Sequence, residues 1–274
     1  RFCGREYSQD DDYNITVRCK HNTEKILPIN FDRGTRGLED KATSGEIAQA
    51  RSVIGSLAWI SRQTRPDLCY QCSRLQSTVS AAKVKHLNQC NKVLQEAQAT
   101  SNIGLYYKAG VIDFDESILI SISDASWAGE EKIIDEKIFP RRSQYGRFQL
   151  LGTPDLWDGD AGYVHFLGWK SAIIKKMCRS TFRAETQGLC YSMEAGVALR
   201  AVIAEVLGKR KRHDVNWEDN CAQVKRHLWM TDCQSLHDYV VNPVAAGTED
   251  KRLEIDLEGL REYLWEFPDG SLKD

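Results

Sequence analysis

Apolar and polar positions change their rhythm several times along the chain. Residues 13–18, Tyr-Asn-Ile-Thr-Val-Arg, alternate with a period of two after the turn-forming run Gln9-Asp10-Asp11-Asp12, which predicts a strand of a hairpin. Gly34-Thr35-Arg36-Gly37 and Ser44-Gly45 punctuate the chain as a linker. Over residues 46–100 the spacing becomes helical. Ile47, Val53-Ile54, Leu57 and Ile60 mark one helix, and Pro66 marks a break. Leu68, Cys72, Leu75 and Val79 share a face of a second helix, and Val84, Leu87, Cys90, Leu94 and Ala97 a face of a third.

From residue 117 the pattern changes again. Ile118-Leu119-Ile120-Ser121-Ile122 is nearly continuous in apolar character, as a strand covered on both faces must be, and is expected to end at Ser123-Asp124. Tyr145 to Leu151 and Tyr163 to Trp169 predict two more strands, joined by a turn-rich connection through Thr153-Pro154-Asp155. Residues 182–207 predict an amphipathic helix through Leu189, Met193, Val197 and Ile203. His227 to Thr231 reads as another buried strand ending at Asp232, the basic run Lys209-Arg210-Lys211-Arg212 as the loop before it, and residues 249–266 as a last helix. The order β-β-β-α-β-α predicts an α/β domain with a mixed sheet. No G-x-G-x-x-G or Walker sequence supports a doubly wound nucleotide-binding alternative.

Composition narrows the class. At 274 residues, 42% apolar and 28% charged, the chain has the make-up of a globular protein of one large or two ordinary domains. No run approaches the 18 apolar residues of a membrane span, so no membrane partner is expected. The opening Arg1-Phe2-Cys3-Gly4 has neither a Met nor the charged and apolar regions of a signal peptide, and reads as a piece of something longer. Nine cysteines, an odd number spread over the whole chain, predict reduced thiols and an intracellular setting, cytoplasm or nucleus. The net charge of -2 does not suggest a strong nucleic-acid binder, but between Lys137 and Arg183 nine cations face three acids. Arg142, Lys170, Lys175, Lys176, Arg179 and Arg183 are the candidates there for holding a phosphate backbone; a solvated face is the plainer alternative.

Three acids stand where elements of an α/β domain converge. Asp124 follows the first buried strand, Glu185 falls in the first turn of the long helix, and Asp232 follows the later strand. Carboxylates brought together repel unless cations neutralise them, and hard oxygen ligands select Mg²⁺ or Mn²⁺. Two such ions about 4 Å apart clamp an in-line phosphodiester displacement. Taken singly, an Asp after a strand is commonly a turn residue and a Glu early in a helix commonly complements the dipole.

The surrounding residues add a resemblance. Ser123-Asp124-Ala125-Ser126-Trp127-Ala128-Gly129 resembles the S-D-A-D-W-A-G segment that opens the ribonuclease H domain of copia-type retrotransposons. Arg142-Ser143-Gln144-Tyr145-Gly146 is similar to their R-K-S-T-S-G, Phe166-Leu167-Gly168-Trp169-Lys170-Ser171 to F-L-G-G and W-K-S, and Ser180-Thr181-Phe182-Arg183-Ala184-Glu185-Thr186 to S-S-A-E-A-E-Y. Thr231-Asp232-Cys233-Gln234-Ser235-Leu236 resembles the segment with the next Asp, and Lys251 to Asp256 the K-H-I-D-I helix. Upstream, Gly55-Ser56-Leu57, Thr64-Arg65-Pro66-Asp67-Leu68 and the opening Phe2-Cys3-Gly4-Arg5-Glu6 are similar to segments at the end of the reverse transcriptase palm and beyond it.

The resemblance implies two parts in family order. Residues 1–108 are the C-terminal remnant of a reverse transcriptase, a hairpin plus mostly helical thumb or connection segment. Residues 109–274 are a ribonuclease H-like mixed sheet with flanking helices, cut before its last strand. It implies hydrolysis of the RNA strand of an RNA–DNA hybrid with two Mg²⁺ (or Mn²⁺) ions, Asp124 bridging both, Glu185 and Asp232 on one each, the rest of the Pol polyprotein being a further partner. Two departures stand out. No Tyr-x-Asp-Asp polymerase motif is present, and the family's fourth acid, in a final L-A-D-x-x-T-K segment, has no counterpart. A degenerate, catalytically inactive fragment that at most binds nucleic acid is therefore the alternative. An integrase core would order its acids Asp, Asp, Glu, whereas here the order is Asp, Glu, Asp.

Cys69-x-x-Cys72 with His86-x-x-x-Cys90 has zinc-site spacing. The helical periodicity places Cys72 and Cys90 on apolar faces instead, where a thiol acts as a small hydrophobe, so no zinc is expected.

Overall fold

In the computed structural model, residues 1–134, 137–208, 226–242, 244, 247–266 and 271–272 are described. Those residues form a mixed α/β structure that divides into two compact units. The first comprises Arg1–Ala109, Ala128–Arg142 and Lys170–Ile173; the second comprises Gly110–Trp127, Ser143–Trp169 and Ile174–Asp274. The first break between the units falls after Ala109, and two later segments, Ala128–Arg142 and Lys170–Ile173, also belong to the first unit.

The first unit opens with the predicted hairpin. Strands β1 (Glu6–Gln9) and β2 (Ile15–Arg18) pair antiparallel, and β3 (Leu105–Tyr107) adds to β2 with Val17 opposite Leu105. Asp10 makes the turn, its carboxylate accepting from the backbone N–H groups of Asp12 and Asn14. After the short helix α1 (Lys20–Glu24) come α2 (Ser44–Gln63), α3 (Cys69–Thr78) and α4 (Val84–Ala99). Helix α2 starts at a capping box in which Thr43 Oγ1 accepts from Glu46 N and the Glu46 carboxylate accepts from Thr43 N. Arg36 adds an ion pair to Glu46 at 2.6 Å, and together these hold the Glu46 carboxyl down at about 2.

The apolar faces read from the sequence meet in one core containing Val53, Ile54, Leu57, Leu68, Cys72, Leu75, Leu87, Cys90 and Leu94. Thr64-Arg65-Pro66-Asp67 has a structural task here. Arg65, 2% exposed, pairs with Asp67 and donates to the carbonyl and hydroxyl of Thr100, tying the break after α2 to the end of α4.

The second unit is built on a four-stranded sheet. Strand β4 (Ile118–Ile134), β5 (Lys137–Gly152), β6 (Val164–Ile173) and β7 (His227–Met230) lie in the order β6-β5-β4-β7. Strand β7 runs parallel to β4, with Ile120 opposite Leu228 and Ile122 opposite Met230. Only residues 135–136 separate β4 from β5, far too few for a parallel crossover. The sheet is therefore mixed, as the sequence order predicts.

Two strand lengths depart from expectation. Strand β4 continues ten residues past Asp124 to Ile134, and β5 begins at Lys137. The polar stretch after Asp124 and Pro140 both argue against strand in isolation; pairing of β4 with β5 overrides the local preference. Ala128 and Arg141 adopt left-handed backbone (φ 55° and 58°), next to the points where β4 and β5 pass from one unit to the other.

One face of this sheet is packed by Ile118, Ile120, Leu150, Phe148, Phe166 and Leu228. A second cluster joins the long helix α5 (Thr181–Val206) to α6 (Gln234–Val241) and α7 (Lys251–Leu264) through Leu189, Met193, Leu236, Val240, Leu253, Leu257 and Leu260. Helix α6 was not expected from the sequence. Strands β8 (Trp265–Glu266) and β9 (Ser271–Leu272) pair with each other and not with the four-stranded sheet. The basic run 209–212 lies outside the described residues. Among the described residues no helix is long and apolar enough to cross a membrane.

Candidate metal centre

Local structure brings the three expected acids together. Asp124 lies within β4, and Asp232 lies two residues beyond the last residue of β7. The parallel register sets Ile122 opposite Met230, and extending it by two residues sets Asp124 beside Asp232, one strand spacing apart. Glu185 is the fifth residue of α5, whose start is fixed by Ser180 Oγ accepting from Arg183 N at 3.2 Å. Each acid can place one carboxylate oxygen within 4.8 Å of those of the other two. Asp124 and Asp232 are exposed, whereas Glu185 is 5% exposed.

Burial and the two neighbouring carboxylates, Asp124 and then Asp232, push the Glu185 carboxyl up to about 7, with a backbone hydrogen bond at Ala125 opposing the shift. Its Oε2 is buried with no hydrogen-bond partner among the described residues. A buried carboxylate oxygen aimed at two further carboxylates, with nothing to satisfy it, fits a hard divalent cation held by oxygen ligands. These three residues could hold a metal ion.

Beneath them a chain of buried polar groups fixes α5 to the sheet. Trp229 Nε1 donates to His227 Nδ1 at 3.2 Å, so the neutral imidazole carries its proton on Nε2, which faces Ser121 Oγ at 2.8 Å. Burial, reinforced by Arg200, pushes this imidazole down to about 3, which keeps it neutral. Ser121 donates to the carbonyl of Ser192, and Ser192 Oγ donates at 3.0 Å to the carbonyl of Ile122, two residues before Asp124. Gln149 on β5 donates to both the carbonyl and the hydroxyl of Ser192 and accepts from Arg147. Gly196 allows the approach, because a Cβ there would come 2.3 Å from the His227 ring. His227, the first residue of β7, is the centre of this network.

The six expected backbone-holding cations have different surroundings. Arg142 and Lys170 belong to the first unit, and Lys175, Lys176, Arg179 and Arg183 to the second. Lys170, Lys175 and Arg179 are exposed. Lys176 is also exposed, but its ammonium pairs with Asp256 at 3.2 Å. Arg183 departs from the expectation: it is 6% exposed and its guanidinium is bonded to Asp250, the residue that caps α7 by accepting from Arg252 N and Leu253 N. A cation placed two residues before Glu185, on a helix packed by α7, is drawn into that contact instead of toward solvent.

The alternative zinc ligands do not converge among the described residues. Cys72 and Cys90 sit in the helical core, where burial pushes their thiols up to about 11 and about 12, and His86 Nδ1 accepts from Lys83 N.

Neither a protein-family profile, nor a curated protein, nor a solved structure matches the chain.

Proposed function

We propose that residues 109–274 are a ribonuclease H-like domain of a copia-type retrotransposon polyprotein, which hydrolyses the RNA strand of RNA–DNA hybrids with two Mg²⁺ or Mn²⁺ ions. The observation that carries this reading is the convergence of Asp124, Glu185 and Asp232, with the Glu185 oxygen buried and unpartnered. It is supported by the order of the flanking motifs from Ser123 to Asp256 and by a mixed sheet with helices packed against it. On the same reading residues 1–108 are the end of a reverse transcriptase, and the remainder of the polyprotein is its partner.

The cations, when bound, supply Lewis-acid stabilisation of the charge that develops on the phosphate. The chain's own residues do the rest. Asp124, within β4, and Asp232, just past the end of β7, are open to solvent and present their carboxylates at the surface a substrate reaches. Glu185 supplies a ligand from the helix side and must give up its proton, which it holds up to about pH 7. The polar chain from His227 through Ser192 fixes the helix against the strand that carries Asp124.

The test is Mg²⁺-dependent cleavage of a labelled RNA–DNA hybrid, abolished in Asp124→Asn. Cleavage unchanged by that substitution would sink the mechanism. The second reading is an inactive domain that retains the fold. It is favoured by the cluster holding three acids and no fourth among the described residues. Metal binding and hybrid binding without cleavage would establish it.

A further inference from the structure

We propose that Trp127 is a stacking surface for a nucleotide of the strand that reaches the Asp124–Glu185–Asp232 centre, with Lys175 and Arg179 holding the adjoining phosphates. The proposal rests on the reading of that centre as one that acts on nucleic acid.

Trp127 lies on β4 three residues after Asp124, about 10 Å along the strand. Its indole is 46% exposed, yet its polar edge is fixed, since Nε1–H donates to the carbonyl of Cys178 at 3.0 Å. A tryptophan used only for packing hides its ring; here the ring is pinned by its edge and left open. The partner carbonyl belongs to the segment 175–179, which runs directly into the Ser180 cap of α5. One hydrogen bond therefore fixes the indole relative to both the strand with Asp124 and the entry to the helix with Glu185.

That segment reads Lys-Lys-Met-Cys-Arg, three cations and no acid. Lys175, Lys176, Met177 and Arg179 are all exposed, and Lys176 also pairs with Asp256. Without metal the exposed carboxylates at Asp124 and Asp232 repel a polyanion, so attraction then comes from cations elsewhere on the surface. An exposed aromatic face flanked by cations is the arrangement that grips single nucleotides, the base stacking on the ring and the phosphates meeting the cations. Stacking of this kind tolerates any base.

The experiment measures anisotropy of a short fluorescein-labelled RNA–DNA hybrid in EDTA, where no turnover occurs, over a range of KCl. Trp127→Ala is expected to weaken binding about tenfold at every salt concentration without altering the salt dependence, and Trp127→Phe to stay within about threefold of the parent. Lys175→Ala with Arg179→Ala is expected to lower the slope of log affinity against log salt by about two. Circular dichroism and melting establish that each variant is folded; if Trp127→Ala is not, Trp127→Leu, which keeps bulk but has no aromatic face, takes its place. The proposal is overturned if the parent does not bind the hybrid. It is also overturned if the folded Ala or Leu variant binds within about twofold of the parent, or if Phe is as weak as Ala, the result of a purely structural tether. Binding that depends on Trp127 with no cleavage in Mg²⁺ would overturn the nuclease reading alone. Cleavage with binding indifferent to Trp127 would overturn this proposal alone.

Discussion

The imidazole of His227 occupies the space that a side chain at position 196 would need: a Cβ on Gly196 would lie 2.3 Å from ring carbon Cε1, 2.4 Å from Nε2 and 2.6 Å from Ser121 Oγ. Neither neighbour is a flexible chain end, because both are hydrogen-bonded in the network that joins α5 to the sheet. Gly196→Ala is therefore expected to destabilise the fold by about 1–3 kcal/mol, read by urea unfolding. In Gly196→Ala with His227→Ala the two costs should fall short of additivity, because removing the ring removes the two shortest clashes and leaves only that with Ser121 Oγ.

Glu185 binds a proton more tightly in the folded chain, at about 7, than at its ordinary value of 4.5. Protonation therefore favours the fold. The cost of the ionised carboxyl is fully present above about pH 7, shrinks as pH falls, and is gone below about pH 4.5. In EDTA at pH 8, Glu185→Gln should be more stable than the parent by about 1–3 kcal/mol, and the advantage should vanish near pH 4.5. A pH-independent difference in denaturant midpoints would contradict the assigned cause.

The same proton competes with the metal. Mg²⁺ affinity is expected to fall about tenfold per pH unit below pH 7 and to level off above it, with a proton released on binding at pH 6. Calorimetry in two buffers of different ionisation enthalpy measures that proton directly. Asp232→Asn removes a ligand and one of the two repelling charges, so it should weaken binding and lower the Glu185 titration together. A variant that does one without the other would separate the acids.

Ala128 holds a left-handed backbone inside a strand, φ 55°, a conformation that strains any side chain. Ala128→Gly is expected to gain about 0.5–1 kcal/mol despite the extra freedom of the unfolded chain, and Ala128→Val to lose more than that, because a β-branched residue is strongly disfavoured there. Thermal melts of the three proteins rank them.

Much of this site is visible in sequence because two of its acids sit at element ends that carry a pattern, while Asp124 lies inside β4. Asp232 follows the apolar run of β7, and Glu185 opens a helix whose core face recurs through Leu189 and Met193. The full extent of β4 is not visible, since the alternation of Asp124-Ala125-Ser126-Trp127 stops at Ala128-Gly129 and the strand persists through its partner β5. Helix α6 spans eight residues, and its only signal is the spacing of Leu236 and Val240, too short a run to define a period. Arg183 and Lys176 show a different limit: a cation in sequence does not reveal whether an acid about 70 residues downstream will meet it, as Asp250 and Asp256 do.

Asp250 holds two positions at once. It accepts from the first amides of α7 and bonds the guanidinium of Arg183, two residues before Glu185. Asp250 thus links the start of α7 to the seating of α5. Occupancy of the acid centre should slow hydrogen exchange at the amides of Arg252 and Leu253, residues that touch no ligand, so this helix start becomes a remote reporter of whether the centre is filled.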